Sequence, residues 1–116
     1  MHSTLISTDV VADHVTNGSW LIADCRYNLN DEHWGRAEYD RGHIPGAVFV
    51  DVAYELAGER SGVNGRHPLP SMDAMAATFG RLGIADGTQV VAYDQDNGAF
   101  ASRLWWMLRY LGHDAV

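Results

Sequence analysis

The sequence holds one cysteine, Cys25, which excludes an internal disulfide and any cysteine-rich metal site. Basic residues are few, eight against fifteen acidic ones. The net charge of −7 disfavours a surface that tracks nucleic-acid phosphates. No apolar run approaches the roughly eighteen residues that a membrane-spanning helix needs, so no membrane partner is expected. The opening residues, MHSTLISTDV, carry no basic segment followed by an apolar one; no secretory signal is read, and a cytoplasmic location is the default expectation. Internal repeats and low-complexity stretches are also missing. What is present is ordinary for a folded domain: 47% hydrophobic and 20% charged residues over 116 positions, enough for one core but short of a two-domain enzyme. A local pocket of arginines and backbone N–H groups could still hold a small anion against the acidic net field.

Local patterns place the elements. Thr8 is positioned to cap a short helix carrying Val10, Val11 and Val15, which Asn17-Gly18 stops. Trp20 to Cys25, WLIADC, reads as a strand buried on both faces. Residues 26–38 are polar and without period, a long connection. Asp51 to Pro70 contains Gly58, Gly62, Gly65, Pro68 and Pro70 and reads as a surface loop with one helical turn. Ser71 opens a helix in which Met72, Met75, Ala76 and Phe79 repeat at helical spacing, ending at Gly80 and Gly83. Thr88 to Tyr93 is the predicted central strand. Ala99 to Leu111 is a second long helix, with Leu104, Trp105, Leu108 and Leu111 on one stripe and Gly112 after it. Trp105 and Trp106 point about 100° apart on that helix, so one should pack on the sheet and the other face outward, beside Arg103 and Arg109. His113 to Val116 reads as a further strand cut short, so the chain is expected to be part of a longer polypeptide. The alternation predicts one α/β domain over residues 1–116, a parallel sheet with helices on both faces.

The loudest local signal is YDRGHIPGA, Tyr39 to Ala47, ahead of Val48, Phe49 and Val50. Gly42 and Gly46 allow positive φ, Pro45 fixes its own φ and Ile44 is pushed toward extended geometry. The run therefore reads as a shaped turn feeding a strand over residues 47–50.

Four stretches in order, LIADCR from Leu21, GHIPGAVFVD from Gly42, RHPLP from Arg66 and VVAYDQDNGAFASRLWWMLRYLGH from Val90, resemble the rhodanese family. Within that family they resemble the N-terminal domain of tandem thiosulfate or 3-mercaptopyruvate sulfurtransferases. The resemblance implies a rhodanese-like central parallel sheet and sulfur transfer in two half-reactions. A cysteine thiolate takes the outer sulfur of a donor as a persulfide, and a thiophilic acceptor removes it. That chemistry needs a low-pKa thiol, a cradle of backbone N–H groups and cations for the anionic donor, but no cofactor or metal.

In the family the nucleophile lies in the loop between the central strand and the next helix. Here that loop, from Asp94 to Phe100, has no cysteine, and the equivalent position falls on Asp94 counted from the strand or Gln95 counted from the helix. No catalytic residue is therefore assigned. Cys25 ends a strand beside Asp24 and is expected to be structural rather than reactive. Asp24 and Arg26 match the family's D-x-R and are expected to organise loops, and Gly42, His43, Pro45 and Gly46 to be architectural. The resemblance places His67 near the interface of the two domains, facing the partner domain's active site, with Arg103 a second candidate to assist there. Some members carry a second carboxylate two residues after the one matching Asp51; here it is Ala53.

The expectation is a scaffolding half that packs, in cis, against a catalytic rhodanese domain beyond Val116, with a small anionic sulfur donor at the domain interface. The alternative is a stand-alone, catalytically inert rhodanese-like module that binds a protein partner. A phosphatase relative of this fold would need Cys-x5-Arg in the loop and fails for want of the cysteine. The donor stays open between thiosulfate and mercaptopyruvate, because the residues that distinguish them surround the nucleophile.

Overall fold

The structure, a computed structural model, describes all 116 residues. Three parallel strands, β1 (Trp20–Asp24), β2 (Val48–Phe49) and β3 (Gln89–Tyr93), form a sheet in the order β2-β1-β3. Four helices, α1 (Thr8–Ala12), α2 (Trp34–Arg41), α3 (Met72–Leu82) and α4 (Ala101–Tyr110), join and cover them. Because successive side chains of a strand point to opposite faces, β1 and β3 feed two separate clusters. Ala23, Cys25 and Val90 pack with Met75 and Phe79 of α3 and with Leu104, Met107 and Leu108 of α4. On the other face Ile22 and Val91 pack with Val11 of α1, Ala47 and Ile44. The fold is the α/β class read from the alternation, with helices on both faces. No helix is long and apolar enough to cross a membrane.

Several boundaries differ from the sequence reading. Ser7, not Thr8, caps α1, accepting from the Val10 N–H at 3.4 Å. Ser71 caps α3 as expected, but α3 runs through Gly80 and ends on Gly83 at φ 99°. The larger correction is α2, which lies partly in the connection over residues 26–38 and partly in the run from Tyr39. It has no apolar stripe, since its polar face is laced by Arg36–Asp40 and Arg41–Glu38 pairs. Its one buried residue is Gly35, where a Cβ would lie 2.0 Å from the Arg26 carbonyl oxygen. The turn proper is thus residues 42–46, and only Gly46, at φ 79°, needs glycine; Gly42, at φ 171°, is extended. Residues 113–116 form no strand, although the Val90 N–H donates to the Ala115 carbonyl at 2.8 Å and Val116 is buried.

Trp105 packs against the larger cluster and donates its indole N–H to the Ser3 carbonyl at 3.0 Å, while Trp106 is exposed and stacks on Tyr110. Arg109 lies over the Trp105 ring. Arg103, expected beside the outward-facing tryptophan, instead turns inward to the loop over residues 56–68.

Candidate functional site

Ligand crevices of parallel α/β sheets lie beyond the carboxyl ends of the strands, and there the segments after β1, β2 and β3 converge. After β3, the side chain of Asp94 curls back under its own loop. One carboxylate oxygen accepts from the N–H groups of Asp96 and Gly98, both at 3.0 Å. The other accepts from Phe100 at 2.9 Å and Ala101 at 3.0 Å, at the N-terminus of α4. Burial pushes this carboxyl upward, but the four N–H groups outweigh it and hold it below the usual carboxylate range. The loop is an anion cradle already filled by its own side chain. Gln95 faces elsewhere. Its amide pairs with both backbone groups of Tyr27, accepting at 3.3 Å and donating at 2.7 Å, and so fastens the β3 loop to the segment after β1.

Asp24 and Arg26 form the second cluster. The Asp24 carboxylate is fully buried; it takes the Arg26 backbone N–H at 3.0 Å and the guanidinium at 2.7 Å, and a phenolic hydrogen bond from Tyr93 at 2.8 Å. Arg26 also donates to the Gly42 carbonyl at 2.7 Å, and the Ile44 N–H donates to the Tyr93 hydroxyl at 3.3 Å. Hydrogen bonding to Asp24 raises the guanidinium pKa; burial, then the bond to Asp24, pushes the Tyr93 phenol up to about 12. This network locks the 42–46 turn to the ends of β1 and β3. His43 is exposed, stacks on Tyr39 with ring centroids 3.7 Å apart and bonds the Tyr39 carbonyl through Nδ1 at 2.7 Å.

The third cluster surrounds His67. Its ring meets the edge of Tyr27, which in turn meets Phe100. Burial first, then Arg103, Arg66 and Arg60, lowers its pKa, with Asp51 opposing. One oxygen of the Asp51 carboxylate, Oδ1, accepts from the N–H groups of Ala53 and Tyr54 at 2.9 and 3.3 Å. Arg66 donates to the Leu29 carbonyl.

A family model for the rhodanese-like domain matches residues 7–116. The chain belongs to the rhodanese-like family. It is 40% identical over 109 residues to a Pseudomonas aeruginosa protein named probable 3-mercaptopyruvate sulfurtransferase, covering 93% of this chain and 38% of that protein. It is 39% identical over 116 residues to thiosulfate/3-mercaptopyruvate sulfurtransferase 2 of Arabidopsis thaliana, covering all of this chain and 30% of that one. Among solved structures, 3-mercaptopyruvate sulfurtransferase from Leishmania major superposes with a TM-score of 0.88 at 34% identity, over 97% of this chain and 31% of that chain. The chain thus spans about a third of the length of these relatives.

Within this rhodanese-like domain the one thiol, Cys25, is buried in the larger cluster, and desolvation followed by the charges of Asp24, Asp94 and Glu55 pushes its pKa far up. It lacks the exposed, electropositive setting of a nucleophile. Sequence reasoning missed Tyr93, which bridges Asp24 to the turn, and Tyr27, which joins Gln95 to His67. Both stand just past or at the end of a strand, a position that was the only available signal.

Proposed function

We propose that this domain is the non-nucleophilic, N-terminal half of a tandem sulfurtransferase, whose persulfide-forming cysteine lies in a second rhodanese domain beyond Val116. The observation that carries the reading is Asp94: its carboxylate occupies the N–H cradle in which the family's chemistry needs a thiolate. A carboxylate there cannot accept sulfur, and it repels an anionic donor. In the full reaction a thiolate of the partner domain attacks the outer sulfur of thiosulfate, breaking its S–S bond and expelling sulfite. With 3-mercaptopyruvate it attacks the single sulfur, breaking the C–S bond and releasing pyruvate as an enolate that takes up a proton. The resulting persulfide then gives its outer sulfur to cyanide or a thiol and returns as thiolate.

This domain would supply one wall of the cleft, with His67 as an assisting group toward the anionic donor. Exposed Leu29, Val63 and Leu69 flank the loop that carries His67, as suits a surface covered by a second domain. A strand continuing along the open edge of β3 belongs to the same proposal. Its support is the Val90–Ala115 hydrogen bond and an apolar groove of about 380 Å³ beside it, lined by Leu5, Ile6, Ala92 and Trp105.

Sulfur transfer from thiosulfate or 3-mercaptopyruvate to cyanide tests the reading, measured on the 116-residue chain and on the native polypeptide. The native polypeptide should turn over and the isolated chain should not; turnover by a clean preparation of the isolated chain overturns the proposal. A native polypeptide that ends near Val116 and has no activity would favour the inert binding module.

A further inference from the structure

His67 forms no side-chain hydrogen bond, and its Nε2 is sealed from solvent without a partner. Its backbone, in contrast, is held firmly. Arg103 reaches from α4 beneath the loop, where Nε donates to the Leu56 carbonyl at 2.7 Å and Nη2 donates to the carbonyls of His67 at 3.0 Å and Pro68 at 3.4 Å. One planar guanidinium thereby clamps both ends of a segment whose middle, residues 59–66, is exposed. Pro68 in turn accepts from the Gly58 N–H at 2.8 Å, closing the base of the loop.

We propose that Arg103 is a positioning residue for His67: by gripping the carbonyls at the loop base it seats the imidazole against Tyr27 with Nε2 sealed, leaving Nδ1 as the nitrogen offered to a partner. The functional value of that seat rests on the reading of His67 as an assisting group. The charged and titratable groups around the ring are Arg103 of α4, Arg66 and Arg60 of its own loop, Tyr27 after β1 and Asp51 after β2. Lysine at position 103 would keep the charge, but it cannot reproduce a fork that donates to both strands of the loop base. Charge and geometry are therefore separable. Burial is the first cause of the lowered imidazole pKa and the Arg103 charge the second, so on this proposal loosening the clamp raises the pKa even where the charge is kept.

The test uses the native polypeptide with nitrogen-15-labelled histidine, His67 being assigned by its loss in His67→Gln. Arg103→Ala, Arg103→Lys and Val11→Ala are compared with wild type; Val11 lies in the cluster on the opposite face of the sheet. Both Arg103 variants should move the His67 titration upward toward the ordinary imidazole value, whereas Val11→Ala, although less stable, should leave it in place. An unmoved titration in the Arg103 variants, with only a lower melting temperature, overturns the proposal.

Kinetics separate the two claims. If His67→Gln lowers kcat, Arg103→Lys must lower it too, by roughly tenfold to a hundredfold as for a slightly misplaced group, with KM changing less. Full kcat in Arg103→Lys would then overturn the proposal. If His67→Gln leaves kcat unchanged, the assisting reading of His67 fails, while a shifted titration still upholds Arg103 as the residue that seats it.

Discussion

Replacing Asp94 by alanine removes the acceptor of four backbone N–H groups at once. Three of these bonds are partly buried, and the fourth, from Asp96, is exposed enough for water to replace it. A lost helix cap alone costs about 0.5–2 kcal/mol, and a hydrogen bond to a charged group is worth about 1.5–3 kcal/mol where water cannot substitute. Allowing for water at the exposed side of the loop, Asp94→Ala should destabilise the domain by about 2–3 kcal/mol, or roughly 10 °C in melting temperature. Urea unfolding with and without the substitution measures this.

The pH dependence provides an independent check. The folded carboxyl of Asp94 lies below its usual value. Its stabilisation is therefore complete above the unfolded pKa of about 3.9 and is lost as pH falls through the folded value. The gap between wild type and Asp94→Ala should be constant from neutral pH down to mild acid and close only in stronger acid. A gap below about 0.5 kcal/mol at neutral pH would refute the filled-cradle argument, since that is the scatter of ordinary surface substitutions. A gap that widened in acid would refute it as well.

The two glycines of the turn should part company: Gly46→Ala, forced to φ 79°, should cost about 1–2 kcal/mol. Gly42→Ala, extended and with open space at its Cβ, should stay within about 0.5 kcal/mol by the same unfolding assay. Gly35→Ala should be worse than either, about 3 kcal/mol or more, because its methyl would meet the Arg26 backbone rather than a movable side chain; soluble yield and melting temperature report it. Asp24→Asn leaves Arg26 without its buried partner and should cost about 3–5 kcal/mol, while Tyr93→Phe, which strands the Ile44 N–H, should cost about 1–2 kcal/mol. The Tyr93 phenol, raised to about 12, should contribute stability that is complete below the ordinary tyrosine range and is lost as pH climbs through its folded value, seen as late phenolate absorbance.

The sequence by itself determined the fold class and the family. Apolar runs at Trp20–Asp24 and Gln89–Tyr93, helical spacing in Met72–Leu82 and four ordered motifs are local properties, readable because each strand and each amphipathic stripe writes its period into consecutive residues. It also revealed that the loop after Tyr93 holds no thiol. It did not reveal α2, because a helix held by ion pairs and one close glycine contact has no apolar period to read. Nor could it say how the side chains of Asp94 and Gln95 turn: Asp94 goes under the loop to meet the N–H groups at the start of α4, and Gln95 goes toward Tyr27, more than sixty residues away. The inward turn of Arg103 to the carbonyls beside His67 was equally invisible. Such contacts are made between distant segments, and only the packed sheet and helices bring their partners within hydrogen-bonding range.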